Sequence, residues 1–272
     1  MKYYYPSHTI LKKLIRYISF YYSEQPAKEY LVFPNNGSGL VLSRNLEFEV
    51  LDQNTYLSKE MPGAFRSTLH VNRMQPVKIM ERGRQEKITI VFEPLGISHF
   101  IRQPLFDFVV DTNSPAQNLD LTNSFHNMAR SVFSCSNRNE RMNCIEEYLL
   151  NRFADPAIPF LPEALELLKN LDHSYSIEEI SKMLHTSSRN LLRLFKKHLC
   201  LSPVEFRNIY RFRFSLQKKM QGGDTTSFKD ISYESSYSDA SYMVRMYKKF
   251  TGLNPSEFFG RIDDDKYVIV SL

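Results

Sequence analysis

The 272-residue sequence has little of what metal chemistry, secretion or membrane residence requires. Cysteine is scarce. Cys135, Cys144 and Cys200 form no Cys-x-x-Cys pair, which argues against a zinc site and fits a reducing compartment. The seven histidines are His8, His70, His99, His126, His173, His185 and His198, and no two lie within ten residues of each other. There is no His-x-His and no i,i+4 pair to start a ligand set. His70 and His99 could meet only through folding, and packing or surface roles suit them better. No basic-then-apolar leader follows Met1, and no apolar run nears the length of a membrane span. The expectation is a cytoplasmic protein with no metal, no cofactor and no membrane association.

What the chain does have is a pattern written twice. Residues 187–206 read SSRNLLRLFKKHLCLSPVEF, and residues 239–258 read DASYMVRMYKKFTGLNPSEF. At an offset of 52, seven of the twenty positions are identical: Arg193/Arg245, Lys196/Lys248, Lys197/Lys249, Leu201/Leu253, Pro203/Pro255, Glu205/Glu257 and Phe206/Phe258. A repeat of this kind means one supersecondary unit used twice. Before the first copy, Ser176 with Glu179 forms a capping-box pattern, and Ile177, Ile180 and Leu184 supply a buried face. His185-Thr186-Ser187 is a polar turn into a second helix with Leu191, Leu194, Phe195 and His198 at helical spacing. Phe228 and Ile231 mark the matching helix before the second copy, and Tyr237-Ser238-Asp239 leads into the next. Arg193 and Arg245 fall between the apolar positions, where a recognition helix carries its base-reading side chains. Two solvated amphipathic helix pairs would share the apolar spacing but have no need of a Lys-Lys pair in each copy. Charge agrees: residues 171–262 hold 15 Lys and Arg against 9 Asp and Glu, a net of +6 within a total of +5.

From residue 175 to 259 the chain resembles the DNA-binding domain of the AraC/XylS family of bacterial transcription regulators. The resemblance rests on the SxxxLxRxFKK run of 187–197, Ser202-Pro203-x-x-Phe206, the YSDASYMVRMYKK run of 237–249 and the closing GLNPSEF of 252–258. It implies seven helices, with two helix-turn-helix units joined by a long helix over 203–221, and recognition helices in successive major grooves. Base-facing positions of the family fall on Arg189, Asn190 and Arg193 in the first unit and on Ala240, Ser241 and Arg245 in the second. Leu192 falls on another and could touch only a thymine methyl or neighbouring side chains. Phosphate contacts are expected from Ser187, Lys196, Lys197, Lys248 and Lys249. The second unit is the poorer in hydrogen-bonding side chains, and Asp239 at its start would repel phosphate, so Arg189 and Arg193 should carry more of the specificity. Two departures stand out: Cys200 and Ser236 replace glycines that the family favours, and the second copy keeps the former as Gly252.

The N-terminal region reads differently. The spacing predicts an amphipathic helix over 8–22, with Ile10, Leu11, Leu14, Ile15 and Ile18 on one face. Short apolar runs follow over 30–33, 40–42, 46–51, 67–71, 77–80 and 87–92, broken by turn residues that include Met61-Pro62-Gly63. They read as an antiparallel sheet or small barrel. A short helix is expected over 97–102, a polar linkage over 111–118, and helices over 119–133, 138–153 and 162–171. The order of elements and the VFEPLGISHFIRQPLFDF run are similar to sensory domains of some AraC-type regulators, often cupin-like barrels that bind a small effector.

The expected fold is α+β: a β-rich sensor over 1–118, a helical linker or dimerisation region over 119–158, and the DNA-binding domain over 159–262. The expected function is a sequence-specific transcription regulator, not an enzyme. Its partners would be double-stranded DNA, a small effector, a second copy of itself and, for an activator, RNA polymerase. The alternative is a metal-dependent cupin-type enzyme fused to a DNA-binding module. A methyl-accepting repair protein and an interaction module that has lost DNA binding are further readings.

Overall fold

The computed structural model describes residues 2–108, 116–118, 124–222, 227–261 and 267–268. The chain divides into two compact units. The first comprises Met1–Glu29, Gly37–Val71 and Val77–Pro156, and the second Tyr30–Asn36, Asn72–Pro76 and Ala157–Leu272.

In the first unit lie β1 (Lys2–Tyr4), α1 (Thr9–Leu14), β2 (Ile15–Ser23), β4 (Gly39–Asp52), β5 (Thr55–His70), β6 (Val77–Arg82), β7 (Gln85–Phe92), β8 (Ala116–Asn118), α2 (Ser124–Ser134) and α3 (Arg138–Arg152). Strand β3 (Ala27–Val32) begins here and ends in the second unit. The sheet runs β1-β2-β7-β4-β5-β6, with β8 added on β5. It is a single curled sheet, closer to a half-barrel than to a closed barrel.

The predicted helix over 8–22 is only half a helix. It stops at Leu14, and Ile15–Ser23 is a strand paired with β7 from Ile15 opposite Phe92 to Ser23 opposite Gln85. β-branched and aromatic side chains dominate IRYISFYYS, and a pleated ladder accommodates them better than a helix does. The apolar spacing that looks helical also fits a strand, with Ile15 and Tyr17 both buried. The expected turn at Met61-Pro62-Gly63 is instead a bulge inside β5. Glu60 pairs with Leu46 and Phe65 with Arg44, so four residues of β5 oppose Asn45 alone. Gly63 takes φ +80 there and donates its N–H to Asn45 Oδ1 at 2.8 Å. A bulge tolerates a proline that a ladder would not. The sheet is also not wholly antiparallel, since β5 and β6 run parallel. The short helix expected over 97–102 is a 3-10 turn, Gly96–His99.

Helices α2 and α3 belong to this unit and pack against the sheet. Phe133 lies 6.3 Å from Phe65, with the guanidinium groups of Arg44 and Arg141 over its ring. Both arginines pair with Glu86 of β7, at 2.6 and 3.1 Å. Buried Glu146 of α3 accepts the Ser7 and His8 N–H groups, at 2.7 and 3.1 Å, just before α1. Of the predicted helix over 119–133, residues 119–123 lie outside the described residues, as do 111–115 of the linkage.

The second unit holds α4 (Leu161–Lys169), α5 (Ile177–Met183), α6 (Ser188–Leu199), α7 (Pro203–Gly222), α8 (Phe228–Glu234), α9 (Ala240–Thr251) and α10 (Pro255–Phe259). Seven helices are thus present among the described residues, as the resemblance implied. On α7, Phe206, Ile209, Phe212 and Leu216 form a wholly buried stripe at helical spacing. Phe212 meets Tyr247 at 5.0 Å and Phe250 at 5.1 Å. Two early segments complete the unit. Phe33 packs edge-on against Phe258 at 5.1 Å, and buried Arg213 donates to the carbonyls of Pro34 and Phe33 at 2.6 and 2.9 Å. Asn72 donates to Leu199 O, at the end of α6, at 2.9 Å. Beyond residue 30, β3 pairs in parallel with β9 (Tyr267–Val268).

Candidate nucleic-acid interface

Each copy of the repeat folds as a helix, a tight turn and a second helix. In the first, the capping box is complete: Glu179 N–H reaches Ser176 Oγ at 3.1 Å, and the Ser176 N–H reaches Glu179 Oε2 at 2.7 Å. Helix α5 ends, His185 turns left-handed at φ 50, and Thr186 N–H returns to Ser181 O at 2.9 Å. Ser187 then caps α6, accepting from Asn190 N–H at 3.1 Å. The second copy follows the same course. Ser236 is left-handed at φ 56, Tyr237 N–H returns to Ser232 O at 3.1 Å, and Asp239 caps α9. Its turn is one residue longer, Ser236 to Asp239 against His185 to Ser187. Ser236, where the family favours glycine, does adopt the glycine-like conformation.

The ends of α6 and α9 are equivalent too. Cys200 has φ 57 and ψ 17, and Gly252 has φ 79 and ψ −5. Both N–H groups reach back four residues, to Lys196 O at 3.2 Å and Lys248 O at 2.9 Å. This left-handed cap is the conformation that favours glycine, and a cysteine occupies it in the first copy. Burial pushes the Cys200 thiol up to about 12. The Pro-x-Glu pattern common to both copies is part of a second capping box, Ser202 with Glu205 and Asn254 with Glu257.

Leu191, Leu194, Phe195 and Leu199 bury one face of α6, and Met243, Tyr247, Phe250 and Thr251 that of α9. That leaves the predicted base-reading residues Arg189, Arg193, Ala240, Ser241 and Arg245 exposed, with Asn190 half-buried. Leu192 is also exposed. The predicted phosphate contacts differ among themselves. Lys197, Lys248 and Lys249 are exposed, whereas Lys196 is paired with Glu205 at 2.9 Å. Ser187 uses its oxygen as the cap but keeps a hydroxyl proton to donate.

Not every cation in this unit serves a surface. Arg207 donates to Tyr175 O, Arg211 to Ser174 Oγ at 2.7 Å, and Arg213 to the carbonyls already named. Net charge could not separate these three from the exposed arginines. Tyr242, the repeat counterpart of Asn190, is a candidate that the sequence did not single out. Its ring lies under the Arg245 guanidinium at 5.3 Å, and its hydroxyl donates to Asn208 Oδ1 of α7 at 3.2 Å. The only signal available for it was its place three residues before Arg245. Asp239 has its carboxyl held below the usual range, first by the Tyr242 N–H at 2.6 Å and also by the charge of Arg245. Among the described residues no group of three or more His, Cys, Asp or Glu could hold a metal ion, and no helix is long and apolar enough to cross a membrane.

A family model described as a helix-turn-helix domain matches residues 180–261. Among solved structures, ToxT from Vibrio cholerae is 16% identical, with 91% of this chain and 98% of that one aligned at a TM-score of 0.51. The apo form of a ToxT point variant from Vibrio cholerae strain SCE256 is 11% identical over 90% and 96%, at 0.50. At these identities the likeness is one of fold. A regulator from Chromobacterium violaceum, of the AraC-type DNA-binding domain-containing proteins, is 23% identical over 39% of this chain and 95% of its own, at 0.34. No curated protein matches the sequence.

Proposed function

We propose that the chain is an AraC-family DNA-binding transcription regulator, and that α6 and α9 read two successive major grooves of one duplex. The observation that carries this is the repeat itself. Two helix-turn-helix units of matching backbone present Arg193 and Arg245 exposed at the same helical position. A guanidinium fork there matches the N7 and O6 acceptors of guanine. Arg189, Asn190, Ala240 and Ser241 would share the reading, and Ser187, Lys197, Lys248 and Lys249 would hold phosphate. Lys196 would first have to leave Glu205.

Selection of genomic fragments by the purified chain, followed by base-by-base substitution of the selected site, tests this. Two half-sites are expected about 10–10.5 base pairs apart, with Arg193→Ala costing about 1–3 kcal/mol at one base pair of the first. Equal losses on selected and random DNA would remove the sequence-reading role. One short half-site, unaffected by Arg245→Ala, would remove the second groove.

For the sheet unit the proposal is a small effector. Its support is a buried polar cluster on the sheet, where Lys87 pairs with Glu81 at 2.8 Å beneath the Tyr21 and Phe48 rings. A ligand screen by thermal shift on the full chain is the check, and no shift by any ligand that alters operator binding would sink it. A homodimer joined through α2 and α3, cytoplasmic residence, and contact with RNA polymerase if the chain activates complete the proposal. A monomer by sedimentation, both on operator DNA and off it, would rule out the dimer.

A further inference from the structure

The exposed arginines of α6 and α9 are not free rods. Arg193 donates from Nη2 to Asn190 Oδ1 at 2.8 Å, and Asn190 in turn donates from Nδ2 to Thr186 Oγ1 at 2.9 Å. Thr186 is fixed within the turn by its own N–H bond to Ser181 O. The first arginine is therefore tied, through one amide, to the turn of its own unit. In the second unit the residue at the same repeat position is Tyr242. Arg245 lies over its ring, and the hydroxyl bonds to Asn208, which is buried on α7. The second arginine is thus tied to the long helix that joins the two units.

We propose that the residue three before each reading arginine, Asn190 in the first unit and Tyr242 in the second, is its positioning residue. This rests on the reading of α6 and α9 as recognition helices, and it changes the part given to Asn190. Both ends of that amide are already engaged, Oδ1 by Arg193 and Nδ2 by Thr186, which directs it to orienting Arg193 ahead of any base its second N–H could reach. An arginine side chain loses several rotamers when it docks on a base edge, and a brace that removes those rotamers beforehand lowers that cost. The two braces differ in chemistry. A neutral amide directs the guanidinium through one hydrogen bond, whereas an aromatic face holds it by charge and quadrupole and lets it slide. The first unit should accordingly discriminate its base pair more sharply than the second.

The test uses the full chain and the operator duplex obtained by fragment selection, with each base pair varied in turn. Asn190→Ala should reduce discrimination about two- to fivefold at the base pair that Arg193→Ala relaxes, with no further loss in the double variant. Asn190→Asp keeps an oxygen for Arg193 and should retain that discrimination while binding all DNA more weakly. Tyr242→Leu should reduce discrimination at the Arg245 base pair about two- to fivefold, whereas Tyr242→Phe keeps the ring, loses only the tie to Asn208, and should fall between Leu and wild type. A change at a different base pair for Asn190→Ala, additive with Arg193→Ala, would make Asn190 a reader and overturn the proposal. Unchanged discrimination for both Asn190→Ala and Tyr242→Leu would do the same. Arginine side-chain NMR of the DNA-free protein separates this from the recognition reading. Restricted Arg193 and Arg245 guanidinium motion, released by the same substitutions, is expected even if the wild type selects no sequence. Unrestricted motion in the wild type would overturn it on its own.

Discussion

Phe195 and Tyr247 hold the same place in the two helix-turn-helix units, and both are wholly buried. Only the tyrosine brings a hydroxyl that must be satisfied, and it bonds Ser215 Oγ of α7 at 2.8 Å. Phe195 instead meets Phe206 ring to ring at 6.1 Å. The first unit adds to that apolar contact an exposed ion pair, Lys196 with Glu205 of α7 at 2.9 Å, and bonds from Arg207 and Arg211 of α7 to the segment before α5. The second is joined through two neutral hydroxyl bonds, from Tyr247 and from Tyr242, on top of its apolar cluster. The early segments repeat the contrast. Asn72 gives α6 one hydrogen bond, while the Phe33 ring gives α10 an aromatic contact and its carbonyl accepts from Arg213 of α7. Two copies of one sequence pattern have kept a backbone and diverged in what holds it.

The largest expected effect separates those two attachments. Phe33→Ala should cost about 3–5 kcal/mol, because it empties a packed aromatic site. Asn72→Ala should cost about 1 kcal/mol or less. Its Oδ1 is buried without a partner, and the substitution removes that unsatisfied atom along with the bond. Urea melts give the totals, and amide exchange should show protection lost in α9 and α10 for Phe33→Ala but at the end of α6 for Asn72→Ala. Equal costs, or losses spread over both units, would mean the attachments are not separate.

A smaller effect tests whether the two helix ends are equivalent. A Cβ at Gly252 would meet nothing within 4 Å, so Gly252→Ala isolates backbone strain and should cost about 1 kcal/mol. At position 200 the thiol is packed, so glycine there would relieve strain and also lose contacts. Alanine is the right reference: Cys200→Gly should be more stable than Cys200→Ala by about 1 kcal/mol, the same order expected at 252. Alanine more stable than glycine at 200 would show that the turns respond differently despite their matching angles.

The smallest effect is a gain. Asp239→Ser copies Ser187 of the first unit, keeps a good helix cap, and removes a carboxylate from the start of α9. Binding to operator and random DNA alike should tighten about two- to fivefold at low salt, with the gain fading as salt rises. Weaker binding would show that Asp239 is needed to hold Tyr242 and Arg245 in place.

What the sequence determined by itself is what short-range chemistry decides. Ser176 with Glu179 caps a helix, and the Ser202-Glu205 and Asn254-Glu257 pairs cap two more, because a cap needs only residues three apart. The stripe Leu191, Leu194, Phe195 likewise follows from the helical period, and the left-handed caps at Cys200 and Gly252 close on carbonyls only four residues back. Tertiary structure alone decided matters that depend on distant partners. Residues 15–23 look helical until β7, some seventy residues later, offers a ladder of hydrogen bonds. Arg213 counts as a basic residue until the carbonyls of Phe33 and Pro34 consume it. The positions of Asn72 beside α6 and of Tyr242 beneath Arg245 were equally out of reach. Each depends on which surfaces meet once the chain has closed long loops, and local pattern carries no record of that choice.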